Sequence, residues 1–146
     1  MSEKCVFCRI IRGEIPAYKV YEDERVLAFL DINPSAPGHT LIIPKAHIAK
    51  VEDLHEEDAA ALFGALRDLV GGIQKAMDAP ASTIGINNGR ESGQEVLHVH
   101  IHIIPRSSGD RGGIIQGIAR GHKRPDVEEM ERIAGRIREL ASDTVK

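Results

Sequence analysis

Apolar residues alternate with histidine through His98-Val99-His100-Ile101-His102-Ile103-Ile104, a period of two that predicts a β-strand. On such a strand His98, His100 and His102 share one face, while Val99, Ile101 and Ile103 enter a core. Other apolar runs predict its neighbours. Lys19-Val20-Tyr21-Glu22 and Val26-Leu27-Ala28-Phe29-Leu30 flank the polar break Asp23-Glu24-Arg25 and read as a hairpin. Thr40-Leu41-Ile42-Ile43 reads as a third strand ended by Pro44. Residues 82–87 give a fourth, and the Asn88-Gly89 turn and a polar loop lead back into the histidine strand as its hairpin partner.

Helical spacing predicts the rest. Leu62, Phe63, Leu66, Leu69, Val70, Ile73, Ala76 and Met77 form one apolar face before Pro80, read in full as core. Asp53, with Glu56 three residues on, predicts the N-cap of this long helix. Gly71-Gly72 weakens it by about 1 kcal/mol each relative to alanine and is read as a place of close packing. Asp126 caps a C-terminal helix with Val127, Met130, Ile133, Ala134, Ile137 and Leu140 on its apolar face. Phe7 to Arg12 predicts one or two helical turns stopped by Gly13.

Composition adds limits. A length of 146 residues suits one hydrophobic core and one domain, residues 1–146, and Gly109 to Gly121 is too short and mixed for an interdomain linker. The net charge of −3 offers no general attraction to nucleic acid or to a membrane surface, so any anionic substrate is held by local groups. No apolar run approaches the ~20 residues that span a bilayer, and no signal-peptide pattern opens the chain, which gives the expectation of a cytoplasmic protein.

The candidate chemistry lies in histidine and cysteine. With a rise of ~3.3 Å per residue, the His98 and His102 backbones stand roughly 13 Å apart, so a single metal ion does not take all three histidines. An adjacent H-x-H pair could chelate one, since zinc–imidazole bonds are only ~2.0–2.1 Å long. Imidazole is also a good neutral nucleophile, with an unperturbed pKa of ~6.5, and His100 is the natural attacker. The only two cysteines, Cys5 and Cys8, form a C-x-x-C pair. No strand precedes it, which disfavours a thioredoxin-like redox site and favours metal. A closed tetrahedral zinc site then needs two further ligands from His39, His47, His55, His98, His100, His102 and His122. His39 stands at the mouth of the third strand.

These residues carry a resemblance. The segment His98 to Ile104 is similar to the histidine triad signature, and Val6 to Arg106 resembles the Hint- and Fhit-related nucleotide-binding proteins. The resemblance extends through Phe7 to Pro16, Ala28 to Ile32, Pro37 to Lys45 and Gly93-Gln94. It implies an α+β fold, with an antiparallel sheet of about five strands, one long central helix and a C-terminal helix. The core spans residues 5–106, with a loop and helix over 107–146, and the usual state is a homodimer built through the long helix and neighbouring strands.

It also implies nucleotide phosphoramidate or phosphoanhydride hydrolysis through a nucleotidyl-histidine on His100, whose Nδ1–H donates to the carbonyl of His98. His102 bonds the phosphate, His39 is the flanking fourth histidine, and no catalytic metal is expected. Asp31 accepts from the ribose hydroxyls, and Phe7, Ile10, Ile15, Phe29 and Ile32 form a slot for a purine, expected to be adenine. Asn87, Gln94 and the backbone at Glu95 and Val96 contact phosphate and leaving group. Some microbial-type relatives close a structural zinc site with two histidines, a role that His47 and His98 fit beside Cys5 and Cys8.

The chain departs from the pattern at Glu95, where Hint-like proteins carry serine and Fhit-like ones threonine. Only the backbone N–H carries over there. Pro105-Arg106 is closer to the Fhit-like form, the N-terminal third to the Hint-like form, and a Trp-bearing C-terminal motif is absent from a chain with no tryptophan. Three functional classes follow: a nucleotidyl-histidine hydrolase acting on phosphoramidates or dinucleoside polyphosphates, a metal-dependent hydrolase using H-x-H, and a non-catalytic nucleotide- or partner-binding module.

Overall fold

The computed structural model describes residues 2–142 and 144. It divides into two compact units, Met1–Gly112 and Gly113–Lys146. The first holds α1 (Val6–Ile11), β1 (Lys19–Glu22), β2 (Val26–Leu30), β3 (Thr40–Pro44), α2 (Glu56–Ala76), β4 (Ala81–Gly85) and β5 (Ile101–Arg106). The five strands form one antiparallel sheet in the order β1-β2-β3-β5-β4. This is the expected α+β architecture.

The central strands are buried on both faces, which explains why β2 and β3 read as continuous apolar runs. Val26, Ala28, Ile42, Val99, Ile101 and Ile103 pack with Leu62 and Ala65 of α2. Leu27, Phe29, Leu41 and Ile43 point the other way and pack with Phe7 and Ile10 of α1. The β1–β2 turn is closed by Asp23, whose Oδ1 accepts from the backbone of Arg25 and Val26 at 2.8 Å each. Arg25 then ties this turn to the first turn of α2, donating to Asp58 at 3.0 Å and Glu57 at 2.8 Å.

Several boundaries differ from expectation for identifiable reasons. The histidine strand begins at Ile101, because Pro44 has no N–H to continue the ladder and Val99 N–H bonds the carbonyl of Ile48 at 2.7 Å instead. The alternation persists regardless, with Val99, Ile101 and Ile103 fully buried. Asp53 does not cap α2. It ends a 3-10 turn (Val51–Asp53), and His55 stands at the N-cap with no side-chain bond, leaving Glu56, Glu57 and Asp58 to complement the helix dipole.

The apolar face of α2 is only partly core. Leu62 is buried, but Phe63 is 43% exposed and Ala76 and Met77 also face outward. Gly71 and Gly72 are exposed too, and a Cβ on either would meet nothing within 4 Å, so they mark no close contact within the chain.

The second unit contains a 3-10 turn (Ile115–Gly117) and α3 (Val127–Ala141). Asp126 caps α3 as expected, accepting from Glu129 N–H at 2.8 Å. Among the described residues no helix is long and apolar enough to cross a membrane.

Candidate active site

The face of β5 that turns toward α1 opens on a cavity of about 430 Å³. Phe7, Ile10, Ile15 and Phe29 line one part of it, together with Pro16, Ala17 and Leu41. Asp31, Ile32 and Asn33 border it from the end of β2, and Asn87, Gly93, Glu95 and Val96 from the β4–β5 loop. His100 and His102 also line it.

The ring nitrogens are ordered by their partners. His100 donates Nδ1–H to the carbonyl of His98 at 2.7 Å, which leaves the Nε2 lone pair free. Phe7 holds the His100 ring edge-on with centroids 5.1 Å apart. His39 lies behind the cavity, 4% exposed. Its Nδ1 accepts from Ser35 N–H at 3.0 Å, so its proton resides on Nε2 and is donated to His102 Nδ1 at 2.9 Å. His102 therefore carries its own proton on Nε2, a buried atom without a hydrogen-bond partner among the described residues. A buried donor with no partner costs free energy unless a ligand supplies the acceptor.

Burial, aided by the neighbouring His100 and His39, pushes His102 down to about 4 and so keeps it neutral. Burial likewise lowers His39, against the opposing pull of Asp31. Asp31 accepts Asn33 N–H at 2.9 Å through Oδ1, while its Oδ2 stands 3.7 Å from His39 Nε2. Asp31, His39 and His102 lie close enough to share a metal ion. The Ser35–His39–His102 hydrogen bonds nevertheless already use three of the four ring nitrogens.

Gln94 sits apart from the cavity lining. Its carboxamide accepts from Gly89 N–H at 2.8 Å and donates to the carbonyls of Ala49 at 2.7 Å and Val96 at 3.1 Å. Asn88 adds a second tie, accepting from Val51 N–H at 3.0 Å and donating to Glu52 at 2.7 Å. Both residues clamp the β4–β5 loop against residues 48–52. Sequence reasoning missed Ser35, Asn88 and the clamping action of Gln94.

Cys5, Cys8, His47 and His98 converge on the other side of α1. His98 donates Nε2–H to the carbonyl of Pro44 at 2.7 Å, so its Nδ1 lone pair faces the cysteines, 3.6 Å from Cys5 Sγ and 3.7 Å from Cys8 Sγ. His47 Nδ1 lies 3.3 Å from both His98 Nδ1 and Cys8 Sγ. A tetrahedron drawn with zinc bond lengths has edges of about 3.3 Å between nitrogens and about 3.6 Å between nitrogen and sulfur. The four residues fit zinc. Burial raises the Cys8 thiol, a cost that a bound dication would offset by holding the thiolate.

Comparison with known proteins identifies the family. The adenosine 5'-monophosphoramidase HNT1 of Saccharomyces cerevisiae is 42% identical over 117 residues, covering 80% of this chain and 71% of that protein. The adenylylsulfatase HINT3 of Arabidopsis thaliana is 37% identical over 142 residues, 97% of this chain and 72% of that protein. Among solved structures, a member of the HIT family from Bacillus subtilis superposes with a TM-score of 0.84 at 39% identity, covering 94% and 96% of the two chains. A zinc-bound histidine triad family protein from Mycobacterium smegmatis gives 0.70 at 34% identity, covering 96% and 97%. The HIT domain family model matches residues 12–109, and with these relatives it shows that the chain belongs to the HIT family.

Proposed function

We propose that the protein hydrolyses a purine nucleoside 5'-phosphoramidate, or a related phosphoanhydride, at the α-phosphorus through a nucleotidyl-histidine intermediate. The observation that carries this reading is the pair of complementary imidazoles in one cavity: His100 with a free Nε2 lone pair and His102 with an unsatisfied Nε2–H. His100 Nε2 bonds to phosphorus as the P–N bond to the leaving group breaks, its electron pair going to the departing nitrogen, which takes a proton from solvent. The positive charge that then develops on the His100 ring is stabilised by its Nδ1–H bond to the His98 carbonyl. His102 Nε2–H donates to a phosphate oxygen, a bond that strengthens as charge builds there. Water next attacks phosphorus, the bond to His100 breaks, and the nucleoside monophosphate leaves.

The apolar walls formed by Phe7, Ile10, Ile15, Phe29 and Ile32 suit a flat base, expected to be adenine, and Asp31 suits the ribose hydroxyls. Asn87 and the backbone at Glu95 and Val96 serve phosphate and leaving group, while Gln94 acts by holding their loop. His39 fixes the His102 tautomer and is a positioning residue. Cys5, Cys8, His47 and His98 hold a zinc ion that stabilises the fold, and no metal is assigned to the chemical step. The relatives' names support nucleotide hydrolysis of this kind.

We place the enzyme in the cytoplasm as a homodimer, with residues 1–146 acting as one domain. Adenosine 5'-phosphoramidate should be converted to AMP and ammonia, and His100→Ala should lose about 10⁴-fold or more in kcat while AMP binding, followed by calorimetry, persists. Full turnover by His100→Ala, or loss of AMP binding in a folded variant, would contradict the assignment. A cleaved dinucleoside polyphosphate with an inert phosphoramidate would favour the Fhit-like alternative.

A further inference from the structure

The charge of the cavity is one-sided. Among the described residues its lining includes two acidic residues, Asp31 and Glu95, and no lysine or arginine. Arg90 is exposed on the same loop as Glu95 but does not line the cavity. Arg9 and Arg12 pair with Glu14, and Arg106 pairs with Asp110. His102 and His39 are neutral, as their tautomers and burial require. The phosphate is therefore met by neutral donors, and nothing in the lining compensates a second anion.

The two acidic residues differ in their contacts. Asp31 is engaged by Asn33 N–H and the His39 edge at the end of β2, where hydroxyl donors suit it. Glu95 is exposed, and no hydrogen bond or ion pair to its side chain occurs among those described. It lies on the loop that enters the histidine segment.

We infer that Glu95 is a specificity-determining residue that selects nucleoside 5'-phosphoramidates whose leaving amine bears a second, positively charged group, and that disfavours anionic leaving groups such as a nucleoside polyphosphate. The inference rests on the proposed function and names the substrate class of that same site. Attack by His100 and departure of the amine proceed as above. The remote cation takes no part in bond-making and acts only through its attraction to the Glu95 carboxylate, an exposed interaction worth a modest factor.

The test uses three adenosine 5'-phosphoramidates that differ in the far end of the leaving amine: 1,2-diaminoethane (cationic), propylamine (neutral) and β-alanine (anionic). Amine basicity also changes reactivity, so the quantity to read is the cationic-to-anionic ratio of kcat/KM in wild type divided by that in Glu95→Gln. Intrinsic reactivity cancels from that quotient. It should be about threefold to tenfold at low salt, and Glu95→Lys should move the preference further toward β-alanine. A quotient of one, with all three substrates cleaved, overturns the inference and leaves the proposed function standing. Failure of wild type to cleave any of the three overturns the inference together with the phosphoramidate reading on which it rests.

Discussion

At the scale of single residues, the site depends on where three protons sit. Ser35 N–H fixes His39, His39 fixes His102, and the His98 carbonyl fixes His100, so that one imidazole offers a lone pair and the other a proton to the same cavity. This order requires His102 to be neutral, and burial pushes it down to about 4. In the unfolded chain a histidine titrates near ~6.5. Between those values the unfolded chain binds more protons than the folded one, so the neutral imidazole favours folding above about pH 6.5, and that preference is progressively lost as pH falls toward 4. Melting temperature should therefore decline as pH is lowered from 7 to 4.5, with a shallower decline in His102→Asn. Equal slopes for the two proteins would show that His102 is not held neutral. The histidine face was legible from the alternation alone and the His100 tautomer from the resemblance, whereas the tautomers of His39, His102 and His98 were not, because they depend on Ser35 and Pro44, whose sequence positions give no sign of such partners.

At the scale of elements, α1 joins the two clusters. It has only six residues, and its N-cap Cys5 makes no side-chain capping bond, so it is too short to persist without outside contacts. Phe7 packs against Phe29, His98 and His100 at centroid distances of 5.5, 5.8 and 5.1 Å, while Cys5 and Cys8 face His47 and His98. Holding the cysteines thus holds one wall of the cavity. The double variant Cys5→Ser with Cys8→Ser should lose one equivalent of zinc per chain and melt about 5–10 °C lower, with KM raised more than kcat is lowered. An unchanged melting curve and no zinc in the wild type would remove the metal from the account. Strands were readable because period two marks β5, unbroken apolar runs mark β2 and β3, and Pro44 ends β3. The start of α2 was not, since Asp53 and Glu56 mimic a capping pair while the chain makes a 3-10 turn and two extended residues first. The bond that Gln94 makes within the chain was not legible, because Ala49, which its amide grips, is 45 residues away in sequence.

At the scale of the whole molecule, periodicity shows which residues of α2 share a face but not whether the same chain covers them. Leu62 and Ala65 meet the sheet, while Phe63 on another side of the helix is exposed. This is where a homodimer through α2 would form. Sedimentation should give a dimer for wild type and the 16.0 kDa monomer for Phe63→Glu; a monomeric wild type would exclude the dimer. The central claim is covalent catalysis by His100, and the most direct measurement is intact-protein mass after rapid quench with an adenosine phosphoramidate, in the presence of a chelator, for wild type and His100→Ala. Covalent catalysis by His100 predicts an acid-labile nucleotidyl adduct on wild type and none on the variant. Turnover with no adduct on wild type, abolished by chelation, would contradict it and make the histidines ligands of a catalytic metal.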